Sequence, residues 1–190
     1  MSLKGSNTTS DYLEFEVTNY NALKMIRSGN DIVLGFLVIV GINTGLKISD
    51  LLKLQYEDLE NDSILIVDKK NKKKRIIRIN DNIKQAFELL KSKLKKCEGH
   101  IFKTRLNTVY SIQYINRWLN KQFGSKKKKI SCHSMRKTMG RQVFKNCNES
   151  EKSLLYLSEL FNHNSIKFTK KYLCIIQEEH EELDDVYMNL

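Results

Sequence analysis

The stretch from Asp31 to Ile42, DIVLGFLVIVGI, constrains the fold more than any other. It is apolar on nearly every side and opens on an acidic residue suited to an N-cap. It therefore predicts a helix buried all round, with the other elements packed about it. At 190 residues the chain is long enough to supply that packing from one domain. Hydrophobic residues make up 41% and charged residues 29%, the balance of a globular chain rather than a disordered one. No apolar run reaches the length of a membrane span, and the Lys/Asn-rich start is no signal peptide, so a cytoplasmic setting is expected.

Proline is absent and no repeat or linker breaks the chain, so residues 13–190 read as one domain behind a flexible lead-in, 1–12. Helical periodicity runs from about Asn19 to Arg27. Gly45 ends the apolar helix, and a short helix follows over Lys47–Leu54. Ser63–Val67 and Arg75–Ile79 are β-branched runs joined by the polar segment Asp68–Lys74, the pattern of a β-hairpin. Asn80 or Asp81 caps a helix to about Lys96, and Thr108–Phe123 carries Ile112, Ile115, Trp118 and Leu119 at helical spacing. Helices follow near 133–147, 150–161 and 165–176, with an acidic helical tail over about 177–188. The sum is mainly α with one small antiparallel β-sheet.

A net charge of +11 points to a polyanionic partner, most simply nucleic acid. Cys97, Cys132, Cys147 and Cys174 form no CxxC pair, which predicts reduced thiols, mostly core filler, and neither a zinc site nor a disulfide framework. No metal or cofactor is expected. Three segments carry candidate chemistry. From Lys69 to Arg75 every residue except Asn71 is Lys or Arg, and a basic two-stranded ribbon can enter a DNA groove and lay cations along phosphates. A charge run is more often a solvated face. His133 and Arg136 lie one helical turn apart, behind the run Lys126–Lys129, and can share a face where Arg forks two phosphate oxygens and His adds a donor. Three-residue patterns of that kind also arise by chance. His163 precedes a helix capped by Asn164 or Ser165, with Tyr172 nine positions on. That tyrosine, flanked by Phe168, Ile175 and Ile176, also reads as ordinary core, and a phenol needs cationic neighbours to act as a nucleophile.

Together these segments resemble the catalytic domain of tyrosine recombinases, the phage integrase family, over roughly residues 30–176. Thr44-Gly45-Leu46-Lys47-Ile48-Ser49-Asp50-Leu51-Leu52 is similar to that family's first box, TGLRISELL or TGLRVSELL. His133-Ser134-Met135-Arg136-Lys137-Thr138 resembles HxLRHT, and Asn162-His163-Asn164-Ser165 with Tyr172 resembles LGHSS…Y. The resemblance implies the family's catalytic-domain fold, with Tyr172 attacking a DNA phosphodiester to leave a 3′-phosphotyrosyl link and a free 5′-hydroxyl. Arg136, His133, His163 and the first-box cation Lys47 would hold the non-bridging oxygens, and a hairpin lysine would protonate the leaving 5′-oxygen. That lysine aligns best at Lys70, with Lys69 or Lys72 as the alternatives in another register. Lys69, Lys72, Lys73, Lys74, Arg75, Lys127, Lys128 and Arg141 would contact double-stranded DNA.

The first box departs from the family at Lys47, which keeps the charge of arginine and loses its fork. Loss of one charge-assisted bond in the transition state costs about 2–4 kcal/mol, or roughly 10- to 1000-fold in rate. Asn162 replaces a glycine and tolerates a left-handed backbone. Lys137 replaces the second histidine of its box, a position read as peripheral. The expected activity is site-specific recombination or integration on a mobile element. Two alternatives stay open: a degenerate relative that binds DNA without cutting it, and a type IB-like topoisomerase. The resemblance also implies a tetramer on DNA joined through the acidic tail, with a monomer expected off DNA. The opening Met1-Ser2-Leu3 looks like an added start, so an excised catalytic domain lacking the N-terminal DNA-binding domain is expected.

Overall fold

The apolar stretch forms α2 (Ile32–Thr44) at the centre of the molecule, in a computed structural model whose described residues are 10–67, 74–176 and 186–188. Every residue of α2 from Leu34 to Ile42 is buried. Around it pack α1 (Phe15–Ser28), α4 (Asp81–Lys93) and α6 (Cys132–Asn146). Phe36 stacks between Phe87 and Phe102, at 5.9 and 6.2 Å. Asp31 stands at the N-cap position of α2 but caps nothing: its backbone is left-handed, and its carboxylate accepts from Trp118 Nε1 at 2.9 Å. A buried indole N–H needs a partner, and this carboxylate supplies it.

After α2 come α3 (Ile48–Leu51), a 3-10 turn at Tyr56–Leu59, and the hairpin of β1 (Ser63–Val67) and β2 (Lys74–Arg78). The strands pair antiparallel, Ser63 opposite Arg78 and Val67 opposite Lys74. Asn80 caps α4 by accepting from Ile83 N at 3.1 Å, and α4 ends at Lys93, three residues short of expectation. α5 (Ile112–Phe123) buries Ile115, Trp118 and Leu119 but leaves Ile112 exposed in its first turn. α6, α7 (Glu151–Phe161) and α8 (Ile166–Tyr172) complete the chain's described helices of more than one turn. The tail expected over about 177–188 lies outside the described residues except for helical 186–188. α1 starts four residues before the expected Asn19, and α8 stops at Tyr172 because Cys174 takes a left-handed backbone. Only Cys132 is fully buried and Cys147 is exposed, so the thiols are not mostly core filler.

A second, smaller core lies under α6, α7 and α8: Met139, Leu154, Leu157, Phe161, Leu173 and Ile175. Gly140 lets these helices close. A Cβ there would sit 2.7 Å from Leu173 Cδ2 and 3.0 Å from Phe161 Cζ. Of the expected lead-in, residues 1–9 lie outside the described residues, whereas 10–12 are pinned onto the α6 region. Asp11 N donates to Lys129 O, Lys129 N donates to the Asp11 carboxylate, and Leu13 N donates to Thr138 Oγ1, each at 2.8 Å. Among the described residues no helix is long and apolar enough to cross a membrane.

Candidate active site

The site is assembled where three helix ends meet. Helices leave their last carbonyls without intrahelical partners, and cations near a C-terminus complete them. Arg136, in the second turn of α6, is 8% exposed; its Nη1 donates to Gly45 O at the C-cap of α2, and its Nη2 reaches Leu160 O near the end of α7 at 3.4 Å. Gly45 takes φ 60°, the left-handed cap that suits glycine and turns the first box toward α6. The guanidinium lies 4.2 Å from the centre of the Phe161 ring, a cation–π contact. Burial pushes its pKa down to about 10, with Tyr172 and Asp50 opposing and Arg75 assisting, so it remains charged at neutral pH.

Ser131 starts α6 in a capping box: its side chain accepts from His133 N at 3.2 Å, and its own N–H donates to Ser134 Oγ at 3.0 Å. That fixes His133 in the first turn, exposed and one turn ahead of Arg136. Partial desolvation of the ring by its neighbours, then Lys137 and Arg136 nearby, lowers its pKa.

Asn162 caps α7 in the left-handed conformation (φ 57°, ψ 49°) that its identity allowed for. The next residue, His163, is held through Nδ1 and Thr169 Oγ1 at 3.0 Å. Its ring is met edge-on by Phe168 at 4.8 Å, Tyr172 at 5.0 Å and Phe161 at 5.4 Å. Burial first, then Arg136, pushes His163 down to about 4, leaving it neutral at physiological pH.

Ser165 caps α8, and Tyr172 is that helix's last residue. Its ring packs against Phe161 at 5.6 Å, and its hydroxyl makes a long 3.5 Å contact with His133 O. Burial pushes the phenol up to about 12 against the pull of Arg136, so it is protonated at rest. His133, Arg136, His163 and Tyr172, from two separated boxes, thus share one cluster, and Arg136 joins it to the first box through Gly45. Lys47 is the N-cap residue of α3, two positions after Gly45, and is exposed.

The remaining expected residues fall in several places. Lys69, Lys70, Lys72 and Lys73 lie outside the described residues. Lys74 is exposed at the start of β2, and Lys127 and Lys128 are exposed beside the pinned lead-in, with Lys128 Nζ 5.8 Å from the Tyr12 ring centre. Arg141 is not brought into the cluster. It donates from Nη1 to Leu173 O at 3.0 Å and lies 3.9 Å from the Tyr12 ring centre, tying α8's end to α6. Lys137, read as peripheral, is 3% exposed. Its Nζ donates to Ser10 O at 2.7 Å, contacts Cys174 Sγ at 3.7 Å and lies 5.2 Å from the Tyr172 ring centre. The tertiary fold supplies a carbonyl there, which lets an ammonium be buried. Arg75 was expected only along DNA, but its Nη1 donates to Leu160 O, beside Arg136. On β2 the strand's alternation turns residues 75 and 77 inward, a placement that the run Lys-Arg-Ile-Ile-Arg does not announce.

Residues 17–179 match the sequence model of the phage integrase family. The probable integrase/recombinase YoeC of Bacillus subtilis (strain 168) is 32% identical over 143 residues, covering 74% of this chain and 76% of YoeC. Tyrosine recombinase XerC of Caldanaerobacter subterraneus subsp. tengcongensis is 24% identical over 142 residues, 72% of this chain but only 39% of that protein. Among solved structures, XerA recombinase superposes with a TM-score of 0.65 at 19% identity, over 96% of this chain and 66% of that one. A lambda integrase dimer bound to a COC′ core site gives 0.61 at 16% identity, over 89% and 61%. The mostly helical fold with its two-stranded sheet is that of the tyrosine recombinase catalytic domain, and the chain belongs to the phage integrase family.

Proposed function

We propose that residues 13–190 act as a catalytic domain that cuts and rejoins double-stranded DNA at a specific site, with Tyr172 as nucleophile. The observation that carries this reading is the meeting of Tyr172, His163 and Arg136 around Phe161, with Arg136 bonded back to the first box at Gly45. Tyr172 Oη forms a bond to phosphorus and the bond from phosphorus to O5′ breaks, leaving a 3′-phosphotyrosyl link. The phenol proton passes to one of the two neutral imidazoles, and O5′ takes its proton from Lys70 on the hairpin. Arg136 and His163 stabilise the charge that grows on the non-bridging oxygens. Attack by a second strand's 5′-hydroxyl reverses these steps and joins the new partner.

The lead-in basic run and the hairpin (Lys69, Lys72, Lys73, Lys74, Lys127 and Lys128) hold the duplex through its phosphates, whose contacts position rather than specify. XerH has been solved bound to a palindromic difH substrate after cleavage, and the Tn1549 transposon integrase with circular-intermediate DNA. Those likenesses support a DNA-acting enzyme of a mobile element here; a cytoplasmic setting, a tetramer on DNA joined through the C-terminal tail and a monomer alone complete the proposal. Deleting residues after Ile176 then weakens assembly on DNA in crosslinking, and unchanged assembly counts against the tail's role.

The decisive experiment uses a nicked suicide substrate carrying the protein's own site. Wild type traps as an SDS-resistant DNA adduct and Tyr172→Phe does not. The second reading, DNA binding without cleavage, is favoured by exposed Lys47 in the first box. A wild type that binds its site and gives no adduct establishes that reading, and gain of adduct in Lys47→Arg locates the defect.

A further inference from the structure

Two guanidiniums face one backbone carbonyl. Arg75 Nη1, from β2, and Arg136 Nη2, from α6, both approach Leu160 O near the end of α7. Among the described residues neither forms an ion pair, and the carboxylate nearest in effect, that of Asp50, is engaged 3.1 Å from Lys53. One carbonyl takes a single N–H from Arg75, so most donors of its fork are left for another acceptor. Like charges held side by side without a carboxylate between them repel, and the repulsion is relieved when an oxyanion bridges both. The hairpin geometry makes the approach specific to Arg75. It lies opposite Ile66 on the inward face of β2, whereas Lys74, Ile76 and Arg78 face outward and are exposed. The first box, joined to this pocket through Gly45, carries Lys47 where the resemblance puts a forked arginine.

We propose that Arg75 is a second phosphate-binding fork of the active site, pairing with Arg136 on one oxyanion and supplying the bidentate donor that Lys47 does not. The proposal rests on the transesterification reading above, and the anion it takes is a phosphodiester or inorganic phosphate. Arg75 also completes the end of α7, so its loss costs stability; the Arg75→Lys variant keeps a donor and a charge while removing the fork.

The test has two arms. In the first, the free protein is titrated with inorganic phosphate and followed by NMR at arginine Nε–H and histidine ring signals, which needs neither DNA nor cleavage. Arg75→Lys weakens phosphate binding by about threefold or more, Arg75→Ala by about tenfold, and Arg78→Ala on the same strand leaves it unchanged. In the second, adduct formation on the nicked substrate at saturating protein slows about tenfold in Arg75→Lys, and Lys47→Arg added to that variant restores part of the rate. Equal phosphate binding in wild type, Arg75→Lys and Arg78→Ala overturns the proposal, as does a parallel loss in both variants. Phosphate binding that depends on Arg75 in a wild type that forms no adduct refutes the cleavage reading and leaves the anion site standing.

Discussion

The core around α2 and the one beneath α6–α8 differ in how much structure stands behind each buried group. Around α2, Phe36 is fully buried between two other aromatic rings, and helices α1, α4 and α6 all close on it. Beneath the site the buried apolar cluster is, among the described residues, six side chains, and one of them, Phe161, also touches Arg136, His163 and Tyr172. The first core is redundant and chemically inert. The second is thin, and its packing residue is at the same time the wall of the pocket. A change in one should cost stability, and a change in the other should cost chemistry.

The comparison breaks most readily at its two phenylalanines. Phe36→Ala lowers unfolding stability by about 3–5 kcal/mol, the cost of a large cavity in a well-packed core. Adduct formation per folded molecule stays near wild type. Phe161→Leu loses only about 1–2 kcal/mol, yet removes the ring beneath Arg136 and slows adduct formation by about tenfold or more. Urea titration with single-turnover trapping measures both, and a matching ratio of losses in the two variants would sink the distinction.

Gly140→Ala sharpens it further. The added methyl meets Leu173 and Phe161 and costs about 1–3 kcal/mol. Hydrogen exchange should find the loss local, with amides of α7 and α8 opening while those of α2 keep their protection. Uniform loss of protection would mean that the two cores unfold as one.

The smallest effect is a pH dependence confined to the thin core. His163 titrates near 4 when folded against an ordinary value of 6.5, so the unfolded chain takes up its proton first on acidification. Its contribution is complete above about 6.5 and is lost as pH falls from there toward about 4. His163→Gln should therefore flatten part of the decline of the urea midpoint between pH 7 and 5, and Phe36→Leu should not.

Much of this was legible in the sequence for a stated reason. A run apolar on every side revealed α2, and helical spacing revealed α1 and α5, because burial of apolar side chains follows from the local sequence. The left-handed backbones at Gly45 and Asn162 followed from residue type. The fates of the cations were not legible. Arg136, Arg75 and Arg141 complete carbonyls at the ends of α2, α7 and α8, and Lys137 takes one from the lead-in. Each of those carbonyls belongs to a residue from 24 to 127 positions away, so nothing beside the cation announces its partner. Asp31 failed as a cap for the same reason, because Trp118, 87 positions on, took its carboxylate.

The sequence by itself determined most of the helices, the two strands, the family boxes and the candidate nucleophile. Local spacing and side-chain chemistry are enough for those. Only the tertiary structure decided which positive charges stay exposed and which are spent inside, because a buried cation needs an oxygen delivered by another element. That is how Arg75 came to lie beside Arg136, Arg141 to tie α8's end to α6, and Lys137 to lie beside Tyr172.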